Sequence, residues 1–356
     1  MCPILVTKYT MEETTNQQRE KVFKILSIDG GGIKGLYSAT ILRHLEEKFG
    51  CRLSDYFDMF CGTSTGGLIA LALSLKIPAS EICDFYDQEG PKIFPNFKKI
   101  KFRGKKYSNG TIKQLINGGK FKDKNLKEAL VKIFGERKIG ESNNLLCIPS
   151  YNVTEARPFI FKYDHKEGDL NRDNKAFYVD VALATSAAPT YFPMAEIPYY
   201  DNKQFIDGGV WGNNPTLVGY LEALQYFVGK GKPYDRLKIL SVSSLSLTGG
   251  KPTGLKRQRS FLDWKDELFE TSFTGQSFFT DFFMKKIATL NDLPVDYLRI
   301  PSSDVSSSQE ELVQLDVATP AALDLIRGKG NDMGDLFRKK PEVADFFEQE
   351  KLYKTN

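Results

Sequence analysis

The sequence predicts an α/β protein with a mostly parallel central sheet, because two strand–turn–helix units follow one another near its start. Residues 23–28 form an apolar, partly β-branched run that leads into Asp29-Gly30-Gly31-Gly32-Ile33-Lys34-Gly35 and an amphipathic helix over residues 36–49. A second apolar run begins at Phe57 and leads into Gly62-Thr63-Ser64-Thr65-Gly66 and an apolar helix over residues 67–75. Such units form parallel sheets whose sites lie at the carboxyl ends of the strands. We therefore expect both glycine-containing turns at one edge of the sheet.

The chain continues this pattern as far as residue 242. Ser80 is predicted to cap a helix that ends before Gly90-Pro91, since this pair interrupts helices. The other elements predicted by periodicity are a helix over 125–134, strands over 145–153 and 158–163, a helix over 177–185, a strand over 204–206, a helix over 216–228 and a last strand of the sheet over 237–242.

Changes of composition predict the domain organisation. Residues 1–21 are expected to form an N-terminal arm and residues 22–244 the α/β domain. A shift to Ser, Thr, Gly and Pro after Ser243 places the start of a C-terminal, mainly helical extension, residues 245–356, which packs on that domain. Within it, residues 261–290 carry a stripe of aromatic side chains. Burial is the default interpretation of such a stripe, and a dimer surface or an interfacial membrane face are the alternatives. One or two small helices are expected in the tail.

Composition and charge exclude several classes of protein. An apolar fraction of 41% is that of a globular protein, and a net charge of +4 is too small for a binder of nucleic acid polymers. The five cysteines are scattered without C-x-x-C spacing, which predicts free thiols in a reducing compartment. The N-terminus lacks a hydrophobic signal core, and no run approaches the roughly 18 apolar residues of a membrane span. We therefore expect a cytoplasmic protein that meets membranes from the surface.

One segment is locally basic. Residues 98–106 contain six basic residues in nine, interleaved with apolar ones. A solvated loop is one interpretation. The other is a patch that meets anionic headgroups or phosphates, because each cation near such a surface contributes about 1 kcal/mol.

Ser64 is the candidate nucleophile. In a G-x-S-x-G turn between a strand and a helix, a strained backbone holds the serine hydroxyl clear of the sheet, and Gly62 and Gly66 leave room for neighbouring chain. The helix that follows points free N–H groups and its positive dipole end at the hydroxyl, which favours the negative charge of acyl transfer. Small residues also cluster in ordinary turns, so the five-residue pattern needs partners elsewhere in the chain.

A serine hydroxyl needs a base to take its proton, and the usual base is histidine. The chain has two histidines, His44 on the charged side of the first helix and His165 in a polar turn typical of surface loops. The order Ser, acid, His of the α/β-hydrolases needs a histidine late in the chain, and none follows residue 165.

Asp207 is the better candidate for the base. It ends a predicted strand at the edge where Ser64 is expected, and Gly208-Gly209 allows a tight turn beside it. A carboxylate acts as a base near neutral pH if apolar surroundings raise its pKa. The neighbours that could supply such walls are Tyr191, Phe192, Val210 and Trp211.

The glycine run after the first strand is the candidate oxyanion hole, because glycines leave their N–H groups unobstructed. Gly30, Gly32 and Gly35 also match the dinucleotide-binding pattern G-x-G-x-x-G. That site expects an acid at the end of the second strand, where Cys61-Gly62-Thr63-Ser64 stands instead. A phosphate-binding loop would end in Gly-Lys-Ser/Thr, which this loop lacks.

Four blocks of sequence together resemble the patatin-like phospholipases. The blocks are the glycine motif 29–35, the serine turn 62–66, Ala184-Thr185-Ser186-Ala187-Ala188-Pro189 and Asp207-Gly208-Gly209, in the order and spacing of that family. The resemblance implies a three-layer α/β/α fold and a Ser-Asp dyad that hydrolyses lipid acyl esters without a metal or other cofactor. It makes Ser64 the nucleophile, Asp207 the base and the N–H groups of Gly31 and Gly32 the oxyanion donors. The supporting motif glycines are Gly30, Gly35, Gly62, Gly66 and Gly208.

Within that family the chain is similar to the CapV-type effectors of bacterial cyclic-oligonucleotide antiphage signalling. The similarity includes residues 145–152 and Phe161-Lys162-Tyr163-Asp164-His165. It implies a cytoplasmic enzyme that stays inactive until a cyclic di- or oligonucleotide binds, and that then degrades phospholipids at the inner face of the membrane. No motif identifies a nucleotide pocket, and the oligomeric state, including a homo-oligomer, is left open.

Three alternatives remain at this point. The chain could be a constitutive patatin-like lipase or lysophospholipase without nucleotide control. It could be a non-catalytic lipid- or membrane-binding module, for which the basic segment 98–106 and the aromatic segment 261–290 would serve. It could also be a nucleotide-regulated switch whose glycine loop grips phosphate.

Overall fold

The fold is an α/β sheet with helices on both faces, as the sequence predicts. The protein is represented by a computed structural model that describes residues 20–96, 99–102, 105–108, 119–247, 250, 253–255, 257–259, 261–290 and 295–355. The predicted N-terminal arm lies outside the described residues apart from Glu20 and Lys21. None of the described helices is both long enough and apolar enough to cross a membrane.

The strands and helices are numbered in chain order. The strands are β1 Val22–Ile28, β2 Met59–Gly62, β3 Lys99–Phe102, β4 Lys105–Ser108, β5 Leu145–Asn152, β6 Arg157–Lys162, β7 Ala195–Ile197, β8 Lys203–Asp207, β9 Arg236–Val242 and β10 Val295–Ile300. The helices are α1 Gly35–Phe49, α2 Leu53–Tyr56, α3 Thr65–Ser74, α4 Ala79–Ile93, α5 Lys124–Phe134, α6 Tyr178–Ser186, α7 Gly209–Gly212, α8 Thr216–Tyr226, α9 Phe261–Ile287, α10 Pro320–Phe337 and α11 Pro341–Ala344. Short 3-10 turns lie at Gly32–Lys34, Ile139–Glu141, Lys166–Gly168, Pro198–Tyr200, Ser307–Leu312 and Asp345–Phe347.

The main sheet has eight strands in the order β10–β9–β1–β2–β5–β8–β7, with β6 also paired to β5. Neighbours from β10 to β5 are parallel, whereas β6 and β8 run antiparallel to β5, and β7 runs antiparallel to β8. The glycine loop follows β1 and Ser64 follows β2. Because these strands are adjacent and parallel, both turns lie at one edge of the sheet, as predicted.

Strand β5 brings the ends of β2 and β8 together. Cys147 of β5 pairs with β2 on one side and with β6 on the other, and Ser150 pairs with β6 and with Asp207 of β8. Since β6 occupies one side of β5 at both positions, β2 and β8 must share the opposite side. They run in opposite directions, so their carboxyl ends face each other across about 10 Å, the length of three strand residues. Ser64 and Asp207 leave these two ends.

The helices form layers on both faces of the sheet. Side chains alternate between the two faces along a strand. On one face, Ile148 of β5 lies against Gly67 of α3. On the other face, the preceding residue Cys147 interacts with Cys61. Cys61 in turn lies against Gly219 of α8. Helices α3 and α8 therefore cover opposite faces, which gives the three-layer α/β/α arrangement.

The C-terminal part of the chain completes the sheet, so the prediction that residues 237–242 form its last strand is wrong. β10 adds a parallel edge strand beside β9. The periodicity of β10 is weak because it contains Asp296 and Arg299, which the structure pairs with Arg236 of β9 and with Asp29. The division of the chain at residue 244 stays a prediction.

Two helices of the C-terminal part differ from what the sequence predicts. α10 is an 18-residue helix, longer than the small helices expected, and its glycines Gly330 and Gly334 allow close packing against Thr40 and His44 of α1. The aromatic segment forms α9, in which Phe273 is buried. Several other rings of α9 are exposed, so the interpretation of the stripe as buried core holds for one face of the helix only.

Two further predictions are corrected by the structure, and one short strand was not predicted. Helix α4 begins at Ala79 after Pro78 and continues through Gly90-Pro91 to Ile93, because Pro91 stands in its last turn, where the Phe94 N–H still donates to the Gly90 carbonyl at 2.8 Å. The basic segment is described at residues 99–102 and 105–106, where it belongs to the β3–β4 hairpin and is not a loop. Strand β7, with three residues, was too short to predict.

Candidate active site

Ser64 stands in a tight turn between β2 and α3. Its φ and ψ are 54° and −123°, a strained conformation for a residue with a side chain. A Cβ atom at Gly62 would overlap the Gly66 carbonyl, and one at Gly66 would overlap the Ile28 carbonyl. Both glycines are therefore required for this close approach, and the prediction of a strained elbow with Ser64 at the N-terminus of a helix is confirmed.

Polar contacts hold the elbow in place. The Ser64 N–H donates to Thr185 Oγ1 at 3.0 Å, and the Thr185 hydroxyl donates to the Pro149 carbonyl at 2.6 Å. Next to it, the Thr63 hydroxyl donates to the Gly212 carbonyl at 2.7 Å. Thr185 belongs to the block 184–189, whose role the sequence did not reveal. Because the Ser64 N–H is already engaged, it is not a free donor for an oxyanion.

Asp207 ends β8 in the protein interior, with only 1% of its surface exposed. Burial disfavours the charged carboxylate and raises the pKa of Asp207 from 3.8 to about 7. The nearby Ser64 hydroxyl and the Gly209 N–H, which donates to Asp207 Oδ1 at 2.7 Å, act in the opposite direction and lower this pKa in part. The prediction that Asp207 would meet Ser64 and have a raised pKa agrees with this geometry, although β8 reaches the site from the antiparallel direction.

The glycine loop places two N–H groups beside Ser64. The Gly30 N–H donates to the Asn213 carbonyl at 3.0 Å and the Ile33 N–H to the Leu315 carbonyl at 2.9 Å, which anchors the loop at both ends. Between them, the N–H groups of Gly31 and Gly32 donate to none of the described residues. Both glycines line the same pocket as Ser64 and Asp207. The loop therefore offers two donors to a ligand atom in that pocket.

The acid at the start of the glycine motif has a structural partner. Arg299 Nη2 lies 2.6 Å from Asp29 Oδ2, and its Nη1 also donates to Ser241 Oγ at 2.6 Å. This buried ion pair joins the edge strand β10 to the end of β1. Arg299 thus holds Asp29 at the end of β1, next to the glycine loop.

The pocket that contains Ser64 is mostly apolar and has a volume of about 60 Å³. Tyr191 and Phe192 line it, as predicted, whereas Val210 and Trp211 do not belong to its lining. The Trp211 indole instead donates to the Ser150 carbonyl at 2.8 Å. The other apolar lining residues are Ile33, Leu68, Phe85, Tyr86, Ile93, Phe94, Leu126, Ala188, Phe273 and Leu315.

Sequence reasoning missed the contribution of the C-terminal part to this pocket. Phe273 of α9 and Leu315 both line it. Phe273 lies against Gly209 beside Asp207, and the Leu315 carbonyl holds the glycine loop. The aromatic character of residues 261–290 was visible in the sequence, but periodicity does not reveal which ring enters a pocket.

The two histidines lie elsewhere. His165 is buried, which corrects its prediction as a surface-loop residue, and its Nε2 lies 3.0 Å from Glu222 Oε1 while its Nδ1 accepts the Gly168 N–H at 3.1 Å. His44 is half-buried, with its Nε2 3.1 Å from Asn331 Oδ1. Neither lines the pocket of Ser64. The pocket thus combines a hydroxyl, a buried carboxyl of raised pKa and two free N–H donors, the groups that acyl transfer needs.

Asp207→Asn is expected to stabilise the folded protein at neutral and alkaline pH. Between the unfolded pKa of about 4 and the folded pKa near 7, the folded wild type binds the additional proton, so its stability falls as pH rises through this window. Asparagine has no charge to bury. Its gain in unfolding free energy should therefore grow across the window and level off roughly 4 kcal/mol above its value at low pH, measured by urea unfolding at a series of pH values.

The control is Asp201→Asn, an exposed aspartate at a φ of 56° that asparagine also tolerates. It should leave the stability unchanged at every pH. An equal gain in this control, or a gain from Asp207→Asn that does not vary with pH, would contradict the account of Asp207.

Comparison with known proteins agrees with this site. Residues 26–220, which include the glycine loop, the serine turn and Asp207, match the patatin-like phospholipase family. A cGAMP-activated phospholipase of Pseudomonas aeruginosa is 29% identical over 87% of both chains, and one of Vibrio cholerae is 30% identical over 91% of this chain and 94% of the relative. Patatin-like protein 3 of Arabidopsis thaliana is 34% identical over 62% of this chain and 57% of the plant protein. The chain therefore belongs to the patatin-like phospholipase family and is a lipid hydrolase.

Proposed function

We propose that the protein hydrolyses acyl esters of phospholipids with a Ser-Asp dyad made of Ser64 and Asp207. The observation that carries this proposal is the meeting of the Ser64 hydroxyl with a buried carboxyl whose pKa is raised to about 7, in an apolar pocket. The absence of both histidines from the lining of that pocket supports the same assignment. The apolar walls suit the acyl chain of a lipid better than a polar substrate.

The proposed reaction has two stages. Asp207 takes the proton of the Ser64 hydroxyl while the oxygen attacks the ester carbonyl, and the N–H groups of Gly31 and Gly32 stabilise the oxyanion. The C–O bond to the glycerol breaks, the leaving oxygen takes the proton from Asp207, and the acyl group stays on Ser64. Asp207 then takes a proton from a water molecule that attacks the acyl carbon, and it gives this proton to Ser64 Oγ as the bond between the acyl group and the serine breaks. The fatty acid leaves, and the serine hydroxyl and the Asp207 carboxylate are restored.

The electrostatics of the site suit this chemistry. A base with a pKa near the working pH combines sufficient deprotonation with sufficient proton affinity. At pH 7 about half of the Asp207 carboxyls with a pKa of about 7 are charged. The positive end of α3 points at Ser64, which further favours negative charge on its oxygen.

Ser64→Ala and Asp207→Asn are each expected to lower kcat for acyl-ester hydrolysis by about a thousandfold or more, because each removes a group that acts in the transition state. The rate is measured as fatty acid released from phospholipid vesicles. The matched controls are His44→Gln and His165→Gln, which keep hydrogen-bonding groups at positions outside the pocket and should retain most of the activity. Loss of activity in His165→Gln with full activity in Asp207→Asn would mean that histidine is the base.

We further propose that a cyclic dinucleotide activates the enzyme and that its setting is bacterial antiphage defence at the inner face of the membrane. Support comes from the two bacterial relatives, which are named as cGAMP-activated phospholipases. The pocket is consistent with control by a ligand, although it does not identify that ligand. Its volume of about 60 Å³ is far below the roughly 300–1,000 Å³ of typical ligand sites, and a long acyl chain needs a widened state of the pocket.

Cyclic GMP–AMP is expected to raise phospholipid hydrolysis by about tenfold or more, because binding to the widened state shifts the population towards it. The assay measures fatty acid release from vesicles with and without cyclic GMP–AMP, cyclic di-GMP or cyclic di-AMP. Thermal unfolding with each nucleotide shows which one binds. Equal hydrolysis rates under all conditions would indicate a constitutive lipase instead.

A further inference from the structure

Helix α9 is fixed against the active site by its inner face. Phe273 lies against Gly209 and lines the pocket of Ser64 and Asp207. Glu270 Oε1 forms an ion pair with Lys34 Nζ at 2.8 Å, directly after the glycine loop. Gln276 Oε1 accepts the Asn213 N–H at 3.1 Å. These three contacts hold the inner face of α9 against the elements that form the candidate site.

The outer face of α9 carries six large apolar side chains that the protein leaves exposed. Phe278 is 74% exposed, Phe279 60% and Phe282 54%. The remaining members of this face are Trp264, Leu268 and Phe283. At about 100° per residue, all six fall within an arc of roughly 140° on the side opposite Phe273. Single exposed apolar residues are common, but four exposed rings within residues 278–283 on one side of a helix mark an interaction surface.

The charges on this face are of one sign. The described side chains that fall within the arc include no carboxylate, and Lys286 lies within it, with its Nζ 5.7 Å from the centre of the Phe282 ring. The described carboxylates nearest to the edges of the arc are Glu267 and Asp281, and they form ion pairs with Arg259 and Lys285, each at 2.7 Å. A surface of aromatic rings with lysine beside them matches the headgroup region of a bilayer that contains anionic lipids.

We propose that the outer face of α9 is the surface by which the enzyme seats on a phospholipid bilayer. The inference rests on the proposed function, since an enzyme that hydrolyses membrane phospholipids has to bring its pocket to their surface. Helix α9 links the pocket to the membrane surface. Its outer rings enter the headgroup region, and Phe273 on its inner face lines the pocket. Seated in this way, α9 lies along the membrane plane with its rings at the depth of the headgroup–acyl boundary.

Phe279→Ser/Phe282→Ser tests this surface, because neither residue lines the pocket of Ser64 and Asp207. Binding is measured by flotation with vesicles of ether-linked phosphatidylethanolamine and phosphatidylglycerol in equal parts, with and without cyclic GMP–AMP. Ether lipids have no acyl ester, so binding is measured independently of hydrolysis. The matched control is Leu221→Ser/Leu336→Ser, which removes two exposed leucines, 63% and 54% exposed, from helices α8 and α10. Thermal unfolding confirms that both variants are folded.

The expected result is a loss of about tenfold or more in vesicle affinity for the phenylalanine variant and wild-type affinity for the leucine variant. Three outcomes would overturn the proposal. Both variants could keep wild-type affinity for the vesicles, both could lose affinity equally, or the wild type could fail to bind with and without the nucleotide. The mass of each variant in solution is also measured by light scattering. If the phenylalanine variant keeps its vesicle affinity but differs from the wild type in mass, the face joins copies of the chain and the proposal is wrong. Failure of the proposed function would give a different result. The wild type would then bind vesicles but release no fatty acid from vesicles of ester-linked phospholipids.

Discussion

Asp207 lies in the protein interior without a described cation beside it, and the chemistry of the site depends on this constraint. Asp29 provides a comparison: burial at the end of a strand raises its pKa as well, but Arg299 lies 2.6 Å away and acts in the opposite direction, and the pair joins β10 to β1. Asp207 has a serine hydroxyl and one backbone N–H as its partners, so burial dominates and its pKa rises to about 7. A carboxyl with a cation partner would be a weaker base. The stability that the protein loses by burying Asp207 is thus linked directly to its proposed role.

The position of Asp207 follows from the pairing of β5. Two strands share one side of β5 and run towards each other, so that residues 143 positions apart in sequence meet where the strands end. The C-terminal part of the chain then completes the site. Leu315 holds the glycine loop, Glu270 pairs with Lys34 after the loop, and Phe273 narrows the pocket. A ligand that moved these residues would therefore act on the site through direct contacts, which gives the proposed control by a nucleotide a physical route.

The sequence predicted most of the α/β core and several residues that share the candidate pocket, because glycine loops, the serine elbow and apolar strands have strong local signals. Ser64 and the glycines were found in this way, and the histidines were excluded by their order in the chain. The direction of β8, the edge strand β10 and the entry of Phe273 could not be predicted, since each depends on contacts between distant segments. His165 was misplaced for a related reason: its polar neighbours suggested a surface loop, whereas Glu222 of a distant helix covers it. The exposed face of α9 was left undecided because burial of a helix stripe depends on its tertiary neighbours.

The most direct test of the account is the rate at which a fluorophosphonate labels the protein, with the adduct located by peptide mass spectrometry and cyclic GMP–AMP present and absent. The account predicts an adduct on Ser64 and a labelling rate that rises with pH through about 7, as Asp207 loses its proton. In Asp207→Asn the labelling should be slow and should lose this pH dependence. An adduct on another residue, or wild-type labelling of Ser64 in Asp207→Asn, would contradict the claim that Asp207 activates Ser64 directly.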